Sequence, residues 1–171
     1  MTQFNSYPSL NPPSLHLGRL VQLQNAEQSS NLNTGNCLGY LCNAEKAIDG
    51  DGSTVAITEK HSFDWWSVEM AKVANIDIIL FSTGEYAYGA VGIFKRFAVA
   101  TRMKASDPWE VCRKEGPMQR PILNHVVWCN DRTIARYIRF STRGNTGLGQ
   151  GLTLNQVKVL EIASGKEIRT M

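Results

Sequence analysis

No apolar run in this 171-residue chain approaches the ~20 residues that a membrane-spanning helix needs. Charge is scarce as well. Only 19% of the residues are Asp, Glu, Lys or Arg, and 18 basic against 15 acidic side chains leave a formal net charge of +3. That excess is too small to argue for nucleic acid. The basic residues are also scattered; Lys95-Arg96 and the set Arg132, Arg136, Arg139 and Arg143 come nearest to a cluster, and they read as a solvated strand face. No Ser or Cys nucleophile has a base in its sequence context, and no carboxylate pair is set apart by its surroundings. The glycines of Gly144 to Gly151 lead into no helix, so no phosphate-cradling loop is present. The chain does not read as an enzyme.

Cysteine is sparse but even in number. Cys37 and Cys42 sit close together in a Gly- and Asn-rich loop, and Cys112 and Cys129 flank a polar, proline-containing segment. Local pairing would give Cys37–Cys42 and Cys112–Cys129 bridges, the second contributing about 3 kcal/mol through loop closure. Four free buried thiols are the alternative in a reducing cell. A zinc site is a third, although neither CxxC spacing nor histidines at ligand distance support it. Disulfides are the favoured reading and place the chain in an extracellular or secreted setting. The polar, proline-dotted opening carries no basic-then-apolar leader.

What is abundant is turn chemistry between short apolar alternations. The segment from Met1 to Leu17 lacks periodicity and reads as an extended arm; the polar residues after Ala163 read as a tail. Between them, residues 18–163 form one binding domain. Leu20 to Gln24, Lys95 to Arg102, Trp109 to Cys112, Asn124 to Cys129, Ile134 to Thr142 and Leu152 to Ile162 each read as strands. Asn75 to Ser82 is apolar on both faces, as in a central strand. In Ile134 to Thr142, alternation puts Ile134, Arg136, Ile138 and Phe140 on one side. Trp109 and Trp128, beside cysteines, read as core packing. About eight strands without a convincing helix imply an all-β, antiparallel jelly-roll β-sandwich.

One stretch concentrates the chemistry. Asp49-Gly50-Asp51-Gly52 is a glycine-bent acidic turn that can aim several oxygens at a hard cation, or else close on itself as an Asx-turn. His61 follows in a polar loop and offers a hydrogen-bond donor to a ligand. Trp65 and Trp66 open a strand and must point to opposite faces, one into the core and one toward the rim. Farther on, Glu85, Tyr86 and Tyr88 lie in a glycine-rich loop whose rings and carboxylate could form a binding surface.

The ordered set Gln28-Ser29-Ser30, Ala47-Ile48-Asp49-Gly50, Trp65-Trp66, Trp109-x-x-Cys112, Cys129, Ala135-Arg-Tyr-Ile-Arg-Phe140 and Leu152-Thr-Leu-x-x-Val157-x-Val159 resembles the fucose-binding F-type lectins (fucolectins). These belong to the broader discoidin, coagulation-factor C-type group of galactose-binding-like domains. The resemblance runs from about Gly18 to Ile162. It implies a non-catalytic carbohydrate-binding module for cell-surface or extracellular glycans, and it supports the Cys112–Cys129 pairing. It further implies a structural calcium site built from the Lys46 carbonyl, Asp49, Asp51, the Thr58 hydroxyl, Asn155 and Gln156. Gln156 stands where the family has a glutamate, so one anionic ligand is missing. The sugar would meet His61, Trp65, Glu85, Tyr86, Lys95 and Arg96. The family's Arg-x-Asp and vicinal cysteines are replaced here by Thr83-Gly84-Glu85-Tyr86, so fucose itself is not implied. Per-site affinity on the order of mM to μM would call for homo-oligomers to reach useful avidity. Two other outcomes keep the fold: a discoidin-like adhesion module for a protein or membrane surface, with Val91 to Phe94 as the apolar tip, and a binding appendage of a larger enzyme.

Overall fold

The structure, a computed structural model, describes residues 18–32, 42–59, 61–83, 93–94, 97–115, 118–119, 122–143 and 151–161. Strands run in the order β1 (Arg19–Val21), β2 (Leu23–Gln28), β3 (Ala56–Ile57), β4 (Phe63–Thr83), β5 (Ile93–Phe94), β6 (Phe97–Arg102), β7 (Glu110–Glu115), β8 (Met118–Gln119), β9 (Ile122–Arg143), β10 (Thr153–Leu154) and β11 (Gln156–Glu161). A 3-10 turn covers Ala44–Ala47. Among the described residues every strand pairing is antiparallel. The expected all-β sandwich is present. Its strands are not eight short ones, however, because β4 and β9 extend over 21 and 22 residues.

The length of those two strands builds both layers. Phe63 to Glu69 of β4 pair with Tyr137 to Arg143 of β9; past a register shift between Glu69 and Ala74, β4 pairs again with residues 122–135 of β9. The N-terminal half of β4 and the C-terminal half of β9 lie in a layer ordered β2-β4-β9-β6-β7, and the C-terminal half of β4 and the N-terminal half of β9 in one ordered β1-β11-β4-β9. Irregular pairing of this kind bends a strand and increases its twist, which lets one hydrogen-bonded sheet fold over on itself.

Side-chain alternation then fills the space between the layers. Trp66, Val68, Met70, Val99, Ile138 and Phe140 from the larger layer are buried against Ile76, Ile79, Phe81, Val127, Val157 and Val159 of the smaller one. Phe81 crosses the interface edge-on, with its ring centre 5.3 Å from those of both Phe97 and Phe140. Trp66 is 1% exposed, and its indole Nε1–H donates to the Ala44 carbonyl at 2.9 Å, so its one polar atom is satisfied. Trp65, its neighbour, faces outward and is half-buried, as period-2 geometry requires.

Several expectations change here. The same register shift interrupts the alternation expected from Ile134 to Phe140. Ile138 and Phe140 are buried, whereas Ile134 is exposed and Arg136 turns outward to Glu69 at 2.8 Å. Trp128 is not core: it is 57% exposed on the outer face of the smaller layer. Trp109 is half-buried on the outer face of the larger layer, where two arginines cover its ring. The Cys112–Cys129 disulfide forms and ties edge strand β7 of the larger layer to the half of β9 in the smaller one. Cys42 is also disulfide-bonded; Cys37 lies outside the described residues, as do the N-terminal arm and the C-terminal tail.

Candidate functional site

Two clusters lie around the loops that lead into β4, one on each side of the short β3. The first is the acidic turn. Gly50 adopts φ +82°, a left-handed conformation that only glycine enters freely, and this folds the chain back after Asp49. The Asp51 carboxylate accepts from the Ser53 backbone N–H at 2.8 Å and from its hydroxyl at 2.6 Å, and those bonds hold it below the usual carboxylate range. Asp51 therefore offers the turn its carbonyl oxygen and not its side chain. Asp49 remains aimed inward, accepting from the Asp51 N–H at 2.9 Å, with the Lys46 ammonium 3.6 Å from its Oδ2.

At the centre of this turn is Thr54, which sequence reading passed over. Its Oγ1 lies 3.0 Å from the Lys46 carbonyl, 3.0 and 2.9 Å from the two Asp49 carboxylate oxygens, and 2.9 Å from the Asp51 carbonyl. A hydroxyl has one proton to give. Four acceptor oxygens within 3.0 Å of it exceed what that proton can satisfy.

Asn155 closes the turn from the far end of the chain. Its Nδ2–H donates to the Thr54 carbonyl at 3.0 Å, while its backbone N–H donates to the Ser82 carbonyl at 2.8 Å. Lys46, Asp49, Asp51 and Asn155 thus lie around one turn, Asp51 through its carbonyl and Asn155 through its Nδ2–H donor. Gln156 begins β11 opposite Ser82. Thr58 does not join them. It is buried elsewhere, its hydroxyl accepting from the Leu152 N–H at 2.8 Å. The signal for Thr54 was present in the sequence: a hydroxyl three residues after the second aspartate of a glycine-bent turn. Among the described residues, no three His, Cys, Asp or Glu side chains converge as a metal-binding group. A cation here would be held by carbonyls, one carboxylate and a hydroxyl, a hard-oxygen set that suits calcium and not zinc.

The second cluster anchors the His61 loop. Asp64 is fully buried, and both its carboxylate oxygens accept from the His61 backbone N–H, at 3.2 and 3.3 Å. The His61 ring turns back onto the same carboxylate, with Nδ1 3.3 Å from Oδ1, while Nε2 points to Glu59 at 4.0 Å. Burial pushes the Asp64 carboxyl up, against the His61 N–H bonds that pull it down. The ring itself is 52% exposed, so a well-anchored imidazole edge is presented to solvent. Gly151 packs against this knot. A Cβ there would fall inside contact distance of Thr58 Oγ1 and the Glu59 carbonyl, and 3.0 Å from Asp64 Oδ2. Ser29 and Ser30 pin the loop's two ends, accepting from the Trp65 and Glu59 backbone N–H groups at 3.2 and 3.0 Å. Asp64 could have been suspected from its i, i+3 spacing to His61.

Of the other expected sugar contacts, Trp65 stands at the start of β4 near His61, with the Arg139 guanidinium 4.3 Å over its ring. Glu85, Tyr86, Lys95 and Arg96 lie outside the described residues, as do Val91 and Gly92 of the apolar tip.

No family model matches the sequence, and no curated protein is similar to it at the sequence level. Solved structures do share its fold. A family 32 carbohydrate-binding module of NanJ from C. perfringens, solved with galactose, aligns at a TM-score of 0.65 with 15% identity, covering 83% of this chain and 98% of that one. The fucolectin from striped bass (Morone saxatilis) serum aligns at 0.64 with 17% identity over 84% of this chain and 49% of its own. The lectin domain of lectinolysin, solved with Lewis B antigen, aligns at 0.57 with 20% identity, over 81% and 93%. The fold is that of the galactose-binding-like, discoidin-type β-sandwiches.

Proposed function

We propose that this chain is a non-catalytic glycan-binding module whose ligand is met by the His61 loop and whose acidic turn holds a structural calcium ion. The observation that carries the reading is the anchored His61: an exposed imidazole fixed through a buried carboxylate, at the loop end of a fold whose structural neighbours include galactose- and Lewis B-bound domains. Such a ring supplies a directed hydrogen bond to a sugar hydroxyl. The carbohydrate-binding modules and lectin domains that share the fold support a binding role.

The calcium assignment is supported by the surplus of acceptors around Thr54. Four acceptor oxygens at 2.9–3.0 Å from one hydroxyl leave lone pairs that a hard cation among them would take up, in addition to the backbone N–H groups and the Lys46 ammonium that already face Asp49 and Asp51. Lys46, Asp49, Asp51 and Thr54 would hold the ion, which would brace the turn against the last strands through Asn155. The test is a glycan array with and without a chelator. Sugar binding that weakens in chelator and disappears in His61→Ala supports the reading; an array without any glycan signal at high protein density rejects it.

A protein-adhesion role is the second reading, and one observation favours it. Leu20, Leu160, Ile78 and Trp128 are register neighbours across all four strands of the smaller layer, with Leu80 and Val126 in the next row. Leu20 and Trp128 are well exposed, so this outer face is apolar where a solvated face would be polar. Clean binding to a protein partner by a glycan-silent protein would favour it.

A further inference from the structure

The outer face of the larger layer carries a feature that neither cluster uses. Alternation that buries Trp66, Thr101 and Phe140 sends Trp65, Arg102 and Arg139 outward on three neighbouring strands. Register places Arg102 directly opposite Tyr137 and sets Trp65 on the diagonal from Arg139. Trp109, at the entrance to β7, completes the row. The Arg139 guanidinium carbon lies 4.3 Å over Trp65 and 4.2 Å over Trp109, and that of Arg102 lies 4.2 Å over Trp109 and 5.1 Å over Tyr137. The result is a ladder of three rings and two guanidiniums. It begins near the His61 loop and runs down the sheet toward the β6–β7 turn.

Stacking occupies the faces of a guanidinium and leaves its in-plane N–H donors to other partners. The Nε atoms of Arg102 and Arg139 are both buried without a hydrogen-bond partner. The two cations repel each other; burial, and then Arg102, push the Arg139 guanidinium down, and Glu27 offsets this only in part. On the same face Arg136 is treated differently, its Nε and Nη2 being held by Glu69 at 2.9 and 2.8 Å. The sheet neutralises one arginine with a carboxylate and leaves two adjacent ones to aromatic rings.

We propose that this arginine–aromatic ladder is a second binding surface, for an acidic polysaccharide whose sulfate or carboxylate groups bridge Arg102 and Arg139. Charge complementarity selects the occupant. An anion set against both half-buried guanidiniums relieves a like-charge repulsion that Glu27 offsets only in part. The inference rests on the glycan-binding reading only in preferring a sugar polymer to a nucleic acid.

The test is titration of the whole chain with dextran sulfate, polygalacturonate and neutral dextran, followed by tryptophan fluorescence and calorimetry. Dextran sulfate or polygalacturonate is expected to bind and neutral dextran not to bind at this surface; the two anionic arms separate sulfate from carboxylate preference. Arg102→Gln and Arg139→Gln should each weaken binding about tenfold or more, and Arg19→Gln, with the same change of net charge on the other layer, should not. His61→Ala should leave anionic binding intact, so failure of the loop site and failure of the ladder are separate results. If Arg139→Gln does not fold, Arg139→Lys keeps the charge, loses the fork and should still weaken binding. The proposal is overturned by folded ladder variants that bind as the wild type does, by equal loss in Arg19→Gln, by no anionic polymer binding at all, or by tighter binding of a DNA duplex than of either acidic polysaccharide.

Discussion

Replacing Thr54 with valine tests the acidic turn with the least disturbance, because valine keeps the shape and removes only the hydroxyl. Without calcium, the loss is one part-buried hydrogen bond, about 1 kcal/mol. With calcium at a hundredfold excess over its Kd, the wild type should gain about 2.7 kcal/mol from binding to the native state alone. For a domain of this size each kcal/mol moves the melting temperature by about 2–4 °C, so calcium should raise the wild-type Tm by about 5–10 °C. Thr54→Val loses one of the oxygens that converge within 3.0 Å, and its calcium response should fall below about half of that. Thermal melts of both proteins in calcium and in chelator give the four numbers needed. A wild-type Tm that calcium does not move, or an equal calcium shift in the variant, would refute the cation assignment and leave Thr54 as an ordinary turn hydroxyl.

Other perturbations separate the parts. Gly151→Ala forces a methyl onto Thr58 and Glu59 and should cost about 1–3 kcal/mol in denaturant unfolding, with weaker sugar binding, since the His61 loop must shift. Trp66→Ala removes the largest fully buried side chain and should cost about 3–5 kcal/mol; a loss under 1 kcal/mol would mean the core is not packed as described. Asp64 gives a pH test. Its carboxyl is raised in the native state, so its contribution favours folding in acid and turns against it as pH rises through the raised value. Asp64→Asn should therefore melt no lower than the wild type at pH 7 and lose any advantage in acid, yet bind sugar less well because the imidazole anchor is weakened. A marked loss of stability at pH 7 would show that the ionised carboxylate holds the loop.

How much of this the sequence revealed depends on range. Local signals read well: the opposed faces of Trp65 and Trp66, the two-sided apolarity of Asn75 to Ser82, the glycine-bent turn at Asp49. The last two needed tertiary explanation, however. Asn75 to Ser82 is apolar on both sides because its second face joins the exposed Leu20–Leu160–Ile78–Trp128 row, not because a third layer covers it. Trp128, read as core because it adjoins Cys129, stands in that same exposed row. The hydroxyl of the turn was placed at Thr58 when Thr54 sits among the acceptors, since Thr58 is drawn to Leu152, a partner 94 residues away. The sequence reads one strand opening at Trp65 and another at Asn75, whereas a register shift between Glu69 and Ala74 joins them as the single β4. The arginine–aromatic ladder had no sequence signature at all. Its members come together only through the pairings of β4, β6 and β9.

The most direct measurement is a glycan array probed in calcium with wild-type protein and with His61→Ala. A glycan-binding loop site requires specific signal from the wild type, reduced by chelator and abolished in the variant. Equal signal from both proteins, or none from either at high density, would contradict it.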